Sequence, residues 1–254
     1  MNAPLPMVQA CLVAGGKFHD FDFARLELLG LLAAHEQVRV TVRDDWEDIE
    51  ALSSADFIVS YTCDVRPSEQ AQQSMRSWVE HGGRWIALHG TNAALDFDHP
   101  DGVDAPRCFS SWVDTLGSQF IAHPPILSVR IENAAPGHWL VAGIDNFDTN
   151  DELYLMEHPE HVNLEVLLNA QWHGETPGFV ESDWTHGSGE RAVQYIRTLG
   201  AGAVLYNTLG HCRGHYDMQP LHEFYETVER CSWELPQYYE LLRRSIRWAL
   251  GESA

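Results

Sequence analysis

The chain has 254 residues, 44% hydrophobic and 21% charged, which is the balance of a globular protein with a sizeable core and excludes a disordered one. Sixteen basic against 37 acidic residues give a formal net charge of -21, which would repel phosphate backbones and anionic headgroups. Neither nucleic acid nor a membrane is therefore expected as a partner.

No linker-like stretch divides the sequence, so a single domain over residues 1–254 is expected. The five cysteines (Cys11, Cys63, Cys108, Cys212 and Cys231) are scattered, odd in number and without Cys-x-x-Cys spacing, a usage that fits a reducing cytosol. Met1 to Pro6 has no positive cluster followed by a long apolar run, and no segment approaches membrane-spanning length, so a cytoplasmic location is expected.

Met7 to Ala14 reads as a strand, Gly15-Gly16 as a turn, and Phe23 to Ala34 as a helix with Leu26, Leu29 and Ala33 on one side. Val38 to Val42 and Asp56 to Tyr61 are the next strands. Pro67-Ser68-Glu69 opens a helix whose core face is Ala71, Met75, Trp78 and Val79. Trp85 to Leu88, too short and too uniformly apolar for an amphipathic helix, is a buried strand that ends abruptly in His89-Gly90. This alternation implies crossover units and a parallel sheet covered on both faces, an α/β fold of the flavodoxin-like or Rossmann-like kind. In such sheets ligands bind beyond the carboxyl ends of the strands, where His89 would sit. Gly15-Gly16-Lys17 has neither Walker spacing nor a G-x-G-x-x-G pattern, so no nucleotide cofactor is expected.

Further along, Phe109, Trp112, Val113 and Leu116 mark a helix, and Ile126 to Ile131 a strand, with His123 in the loop before it. Phe147 to Met156 is extended but interrupted by Asp151-Glu152, carboxylates that are costly unless exposed or hydrogen-bonded. Glu165 to Gln171, Ala192 to Arg197 and Gly202 to Thr208 are strands, the last running into Leu209-Gly210-His211. Helices are expected over Gln219 to Arg230 and Pro236 to Leu250, the latter burying Tyr238, Leu242, Ile246 and Ala249.

Five stretches stand in order: Gly15-Gly16-Lys17-Phe18-His19-Asp20, Leu88-His89-Gly90, Gly117-Ser118-Gln119-Phe120-Ile121-Ala122-His123-Pro124, Asp151-Glu152-Leu153-Tyr154, and Thr208-Leu209-Gly210-His211. Together they resemble the trehalose-utilisation (ThuA-like) family, from about Val8 to Leu250. The resemblance implies kinship with class I glutamine amidotransferases and a flavodoxin-like three-layer sandwich with a mostly parallel central sheet. It also implies a small-molecule sugar partner, a glycoside or 3-keto-glycoside; whether the chain forms a homo-oligomer stays open. In the amidotransferases a strand-to-helix elbow presents a cysteine that a later histidine activates. Here His89 stands at the elbow and His211 at the later position, so glutaminase activity is not expected.

Imidazole suits acid–base work near neutral pH and is the commonest zinc ligand. His89 and His211 are the expected acid–base pair, with His19, Asp20, His123 and Glu152 holding substrate hydroxyls. A divalent metal, if bound, would draw on His19, His89, His123 and His211, although the sequence has no His-Glu-x-x-His motif. The plainer alternatives are an N-cap for Asp20, a turn-closing ring for His123, a strand-end surface charge for Asp151 and a core position for Tyr154. Trp112, Trp172 and Trp184 could stack on a sugar or simply pack. The rival to an enzyme is a non-catalytic sugar-binding or regulatory domain that keeps an amidotransferase-like cleft.

Overall fold

The computed structural model describes residues 6–252. Nine strands form one sheet in the order β2-β1-β3-β4-β11-β10-β9-β6-β7. One half is parallel: β1 (Val8–Gly16), β2 (Val38–Arg43), β3 (Phe57–Cys63), β4 (Arg84–Leu88) and β11 (Gly202–Asn207). The other half continues antiparallel through β10 (Glu190–Leu199), β9 (Glu165–Gln171), β6 (Leu127–Asn133) and β7 (Phe147–Asp151). A separate two-stranded sheet pairs β5 (Gln119–Ala122) with β8 (Leu155–Glu157).

Period-two alternation sends successive side chains of each parallel strand into two cores. Ala10, Leu12 and Ala14 of β1 meet Leu28 and Leu32 of α1 (Phe21–Ala33) and Tyr238, Leu242 and Ile246 of α5 (Pro236–Ala249). Cys11 and Val13 face the opposite layer: Leu52 of α2 (Ile49–Ser53), Met75 and Val79 of α3 (Glu69–Glu80), and Trp112 and Leu116 of α4 (Ser110–Leu116). The result is a three-layer α/β sandwich. Asp20 caps α1 by accepting from the Phe23 amide, Ser68 caps α3 from Ala71, and Pro236 occupies the first turn of α5. No helix among the described residues is long and apolar enough to cross a membrane.

Two expectations fail in the carboxyl-terminal part. The segment 219–230 is irregular rather than helical, although Leu221, Phe224, Tyr225 and Val228 have helical spacing. Leu221, Phe224 and Val228 remain exposed, so there is no buried face to stabilise a helix. The backbone bonds elsewhere: the Tyr225 amide donates to the His215 carbonyl, and Arg213 and Glu229 exchange a pair of bonds. Asp151 is the second correction. It is not a surface charge but fully buried.

Candidate functional site

Three parallel strands each deliver an imidazole at their carboxyl ends. The turn after β1 carries His19, β4 ends at His89, and the loop after β11 carries His211; all three side chains are buried. Gly15 and Gly16 let β1 run close to its neighbours, since a Cβ on Gly16 would lie 2.0 Å from the Cys63 carbonyl oxygen. His89 opens a 3-10 turn (His89–Asn92) with φ +46°, a left-handed conformation that costs a non-glycine residue about 1–2 kcal/mol. That sharp elbow turns the ring away from the sheet. Gly210 bends the third loop at φ +105°, where a Cβ would collide with the Tyr238 hydroxyl.

The carboxylates come from the antiparallel side. Asp151 ends β7, and Glu152 opens the crossing in which the chain leaves that sheet for β8. Asp151 accepts from the amides of Gly210 (2.9 Å), His211 (3.1 Å), Glu152 (2.8 Å) and Ser232 (3.2 Å), and from the Ser232 hydroxyl. Its charge is thereby satisfied without solvent. By holding the amides of both Glu152 and His211, Asp151 locks those two side chains into register.

The rings then converge. His19 Nε2 lies 2.9 Å from His89 Nε2, and Tyr154 Oη 3.1 Å from the same His89 nitrogen. Glu152 Oε2 is 3.6 Å from His89 Nε2 and 3.2 Å from His211 Nδ1, the latter without the alignment of a hydrogen bond. On its far side His211 Nε2 bonds Glu229 Oε2 at 2.9 Å, and Arg213 Nη1 reaches the same oxygen at 3.0 Å. Ligand atoms of His19, His89, Glu152 and His211 all lie within 4.8 Å of one another, a spread one metal ion could bridge. His123, expected in such a set, stands aside: its Nδ1 bonds the Pro124 carbonyl and its Nε2 is 3.7 Å from Glu152 Oε1. Glu152 takes the place expected of it.

Electrostatics follow from this crowding. Burial alone would raise the Glu152 carboxyl, but His123 and His211 outweigh it and hold the group well below the usual range. Burial opposes charge on His211 too, yet Glu152 and Glu229 push it up to about 9. His19 is held well below the ordinary histidine value by burial and by His89 and His211. Burial keeps the Tyr154 phenol protonated and pushes the Cys212 thiol up to about 12. Cys212 bonds Tyr61 and the Asp20 carbonyl inside the protein, and Cys108 lies exposed, so neither stands at the elbow as a nucleophile would.

A cavity of ≈ 340 Å³ opens onto this cluster. Its polar floor consists of His19, His123, Glu152, Tyr154, Arg213 and Glu229, and Phe18, Phe97, Phe120 and Phe179 form apolar walls. His89 and His211 lie behind the floor and do not line the cavity. A wider groove of ≈ 680 Å³ between α2 and α3 is lined by no buried titratable side chain. Trp112 packs against Trp46 and Trp85, and neither Trp172 nor Trp184 reaches the cavity wall. Asp20, besides capping α1, pairs with Arg230 Nη2 at 2.9 Å and does not line the cavity.

The sequence reading missed Arg213 and Glu229. Arg213 lies two residues beyond His211, a signal that proximity could have raised; Glu229 was hidden inside the expected helix and carries no local mark.

Fold and site thus define a three-layer α/β protein with a histidine- and carboxylate-lined cavity at the strand ends. The family described as trehalose utilisation (ThuA) matches residues 11–228, and the chain belongs to that family. No curated protein matches it. Among solved structures it is similar to a putative ThuA-like protein from Bacteroides uniformis, with a TM-score of 0.69 at 15% identity over 100% of this chain and 95% of that one. A second putative ThuA-like protein, from Parabacteroides merdae, gives 0.61 at 16% identity over 98% and 92%. A beta-galactosidase from Rahnella sp. R3 gives 0.57 at 11% identity over 97% of this chain but 32% of that one. At these identities the likeness is one of fold.

Proposed function

We propose that the protein is a sugar-metabolism enzyme acting on a glycoside or keto-sugar, most directly a 3-keto-glycoside, through histidine acid–base chemistry in the cytoplasm. The observation that carries this reading is the polar floor at the end of an apolar-walled cavity at the strand ends, in a chain of the trehalose-utilisation family. The apolar walls suit the C–H faces of a sugar ring, and the floor suits its hydroxyls. Five free cysteines accord with a reducing compartment.

A ketone acidifies the neighbouring C–H, so isomerisation or loss of the aglycone needs a base, a proton donor and a stabiliser of the enediolate oxygen. His89 and His211, the pair that motif order singles out, lie behind the cavity floor and shape it from there. Proton transfer at the substrate falls to His123: its Nδ1–H is committed to the Pro124 carbonyl, leaving Nε2 as an acceptor at the cavity wall. Arg213 at the cavity floor supplies positive charge for the oxyanion.

The test is turnover of a panel of 3-keto-glycosides by purified protein, with sugar binding measured in parallel. Wild type is expected to turn over at least one member, and His123→Ala to lose about 100-fold or more in kcat while binding persists. Binding without turnover would establish the non-catalytic alternative. Neither binding nor turnover across the panel would overturn the sugar reading.

A further inference from the structure

We infer that His19, His89, Glu152 and His211 bind one divalent first-row transition-metal ion behind the cavity floor. The inference shares its side chains with the sugar reading but does not depend on that reaction.

The argument is an accounting of protons. A carbonyl oxygen only accepts, so the ring nitrogen facing it must be N–H: His89 Nδ1 donates to Thr208 O at 2.8 Å, and His19 Nδ1 to Lys17 O at 3.1 Å. Glu229 likewise accepts a hydrogen bond from His211 Nε2–H at 2.9 Å. An ion binding here displaces any proton on the inward-facing nitrogens, and the lone pairs it then meets are those of His19 Nε2, His89 Nε2 and His211 Nδ1. The Glu152 carboxylate points at the same space. His19 Nε2 and His89 Nε2 are thus two acceptors 2.9 Å apart, with the Tyr154 hydroxyl at 3.1 Å a donor to His89 Nε2, and His211 Nδ1 is fully buried with no hydrogen-bond partner. Acceptors that face acceptors in a dry interior repel one another, and a cation among them removes that cost. A proton can join only one pair; a divalent ion can bridge all four.

The outer contacts agree. Imidazoles that ligate metals donate their other N–H to a carbonyl or carboxylate, which fixes ring orientation and raises ligand basicity. All three rings here do so, on Lys17, Thr208 and Glu229. With metal–nitrogen and metal–oxygen bonds of about 2.0–2.2 Å, the ligand atoms of a tetrahedral site stand about 3.5 Å apart, so a set spread over 4.8 Å closes on an ion by side-chain adjustment. Three imidazoles and one carboxylate select zinc, iron, nickel or a similar ion over magnesium and calcium, which prefer all-oxygen shells. Glu152 also lines the cavity, so the ion would lie at its floor and could polarise a substrate oxygen.

The experiment is chelator treatment of the full chain, then dialysis against Zn(II), Ni(II), Mn(II) or Mg(II), with bound metal counted per chain and the thermal midpoint recorded. One equivalent of a transition ion and none of Mg(II) is expected, with a rise in midpoint on reloading. Glu152→Gln and His89→Asn, checked for folding by circular dichroism, are expected to bind at least tenfold more weakly, and His123→Ala to keep its equivalent. Glu229→Gln, at a side chain that meets the His211 ring and Arg213 but not the ion, is expected to weaken binding about 10- to 100-fold. Wild type that takes up well under one equivalent of every ion, or ligand variants that keep wild-type affinity, would overturn the inference; should those variants misfold, wild-type stoichiometry and Glu229→Gln decide. A protein that took up no ion yet turned over keto-glycosides would end the metal inference and leave the sugar reading standing. Metal uptake without sugar binding or turnover would do the reverse.

Discussion

The two halves of the sheet contribute different chemistry. Its parallel half delivers imidazoles, one at the end of each of β1, β4 and β11; the antiparallel half and the segment leading into α5 deliver carboxylates, Asp151, Glu152 and Glu229. The imidazoles follow the carboxyl ends of parallel strands, directly for His89 and through short turns for His19 and His211. The carboxylates are placed by loops, and those loops are held by Asp151, whose five accepted bonds tie the β7–β8 crossing to the His211 loop and to Ser232. A parallel sheet can line up bases by itself, whereas a balanced site at its rim needs acids brought in from outside the crossover units.

That contrast is broken most severely at Asp151. Asp151→Ala would strand four buried amides and a hydroxyl, and a loss of about 3 kcal/mol or more is expected in urea unfolding at an unchanged m-value. A cost under about 1 kcal/mol would mean the loops are held by something else. Asp20 is a lesser tie between the halves, capping α1 and pairing with Arg230. Asp20→Ala is expected to cost about 1–2 kcal/mol by the same measurement, with Asp20→Asn recovering most of the cap. At the small end, Arg107 links Glu157 to Glu181 on the surface, outside the cavity lining. Arg107→Ala is expected to cost less than about 1 kcal/mol and to diminish further in high salt.

The same division explains what could be read from the sequence. Short apolar runs ending in His or Gly marked β1, β4 and β11, because a strand buried on both faces has no choice but to be apolar and a turn at its end has few residues to choose from. His19, His89 and His211 were legible for that reason. Asp151 was not, since nothing in Asn150-Asp151-Glu152 distinguishes a carboxylate facing water from one facing five donors contributed by residues up to 81 positions away. Glu229 and the segment around it were misread as helix because Leu221, Phe224, Tyr225 and Val228 keep helical spacing without a core to meet. Local patterning therefore located the rim of the site and singled out Glu152, whereas the roles of Asp151 and Glu229 emerge only from tertiary hydrogen bonds.

Whether the two halves converge on one ion is addressed directly by anomalous diffraction from crystals of zinc-loaded protein. The account predicts a single strong peak bonded at about 2.0–2.2 Å to His19 Nε2, His89 Nε2, His211 Nδ1 and a Glu152 oxygen. An empty map at that position, or a peak held by other residues, would contradict it.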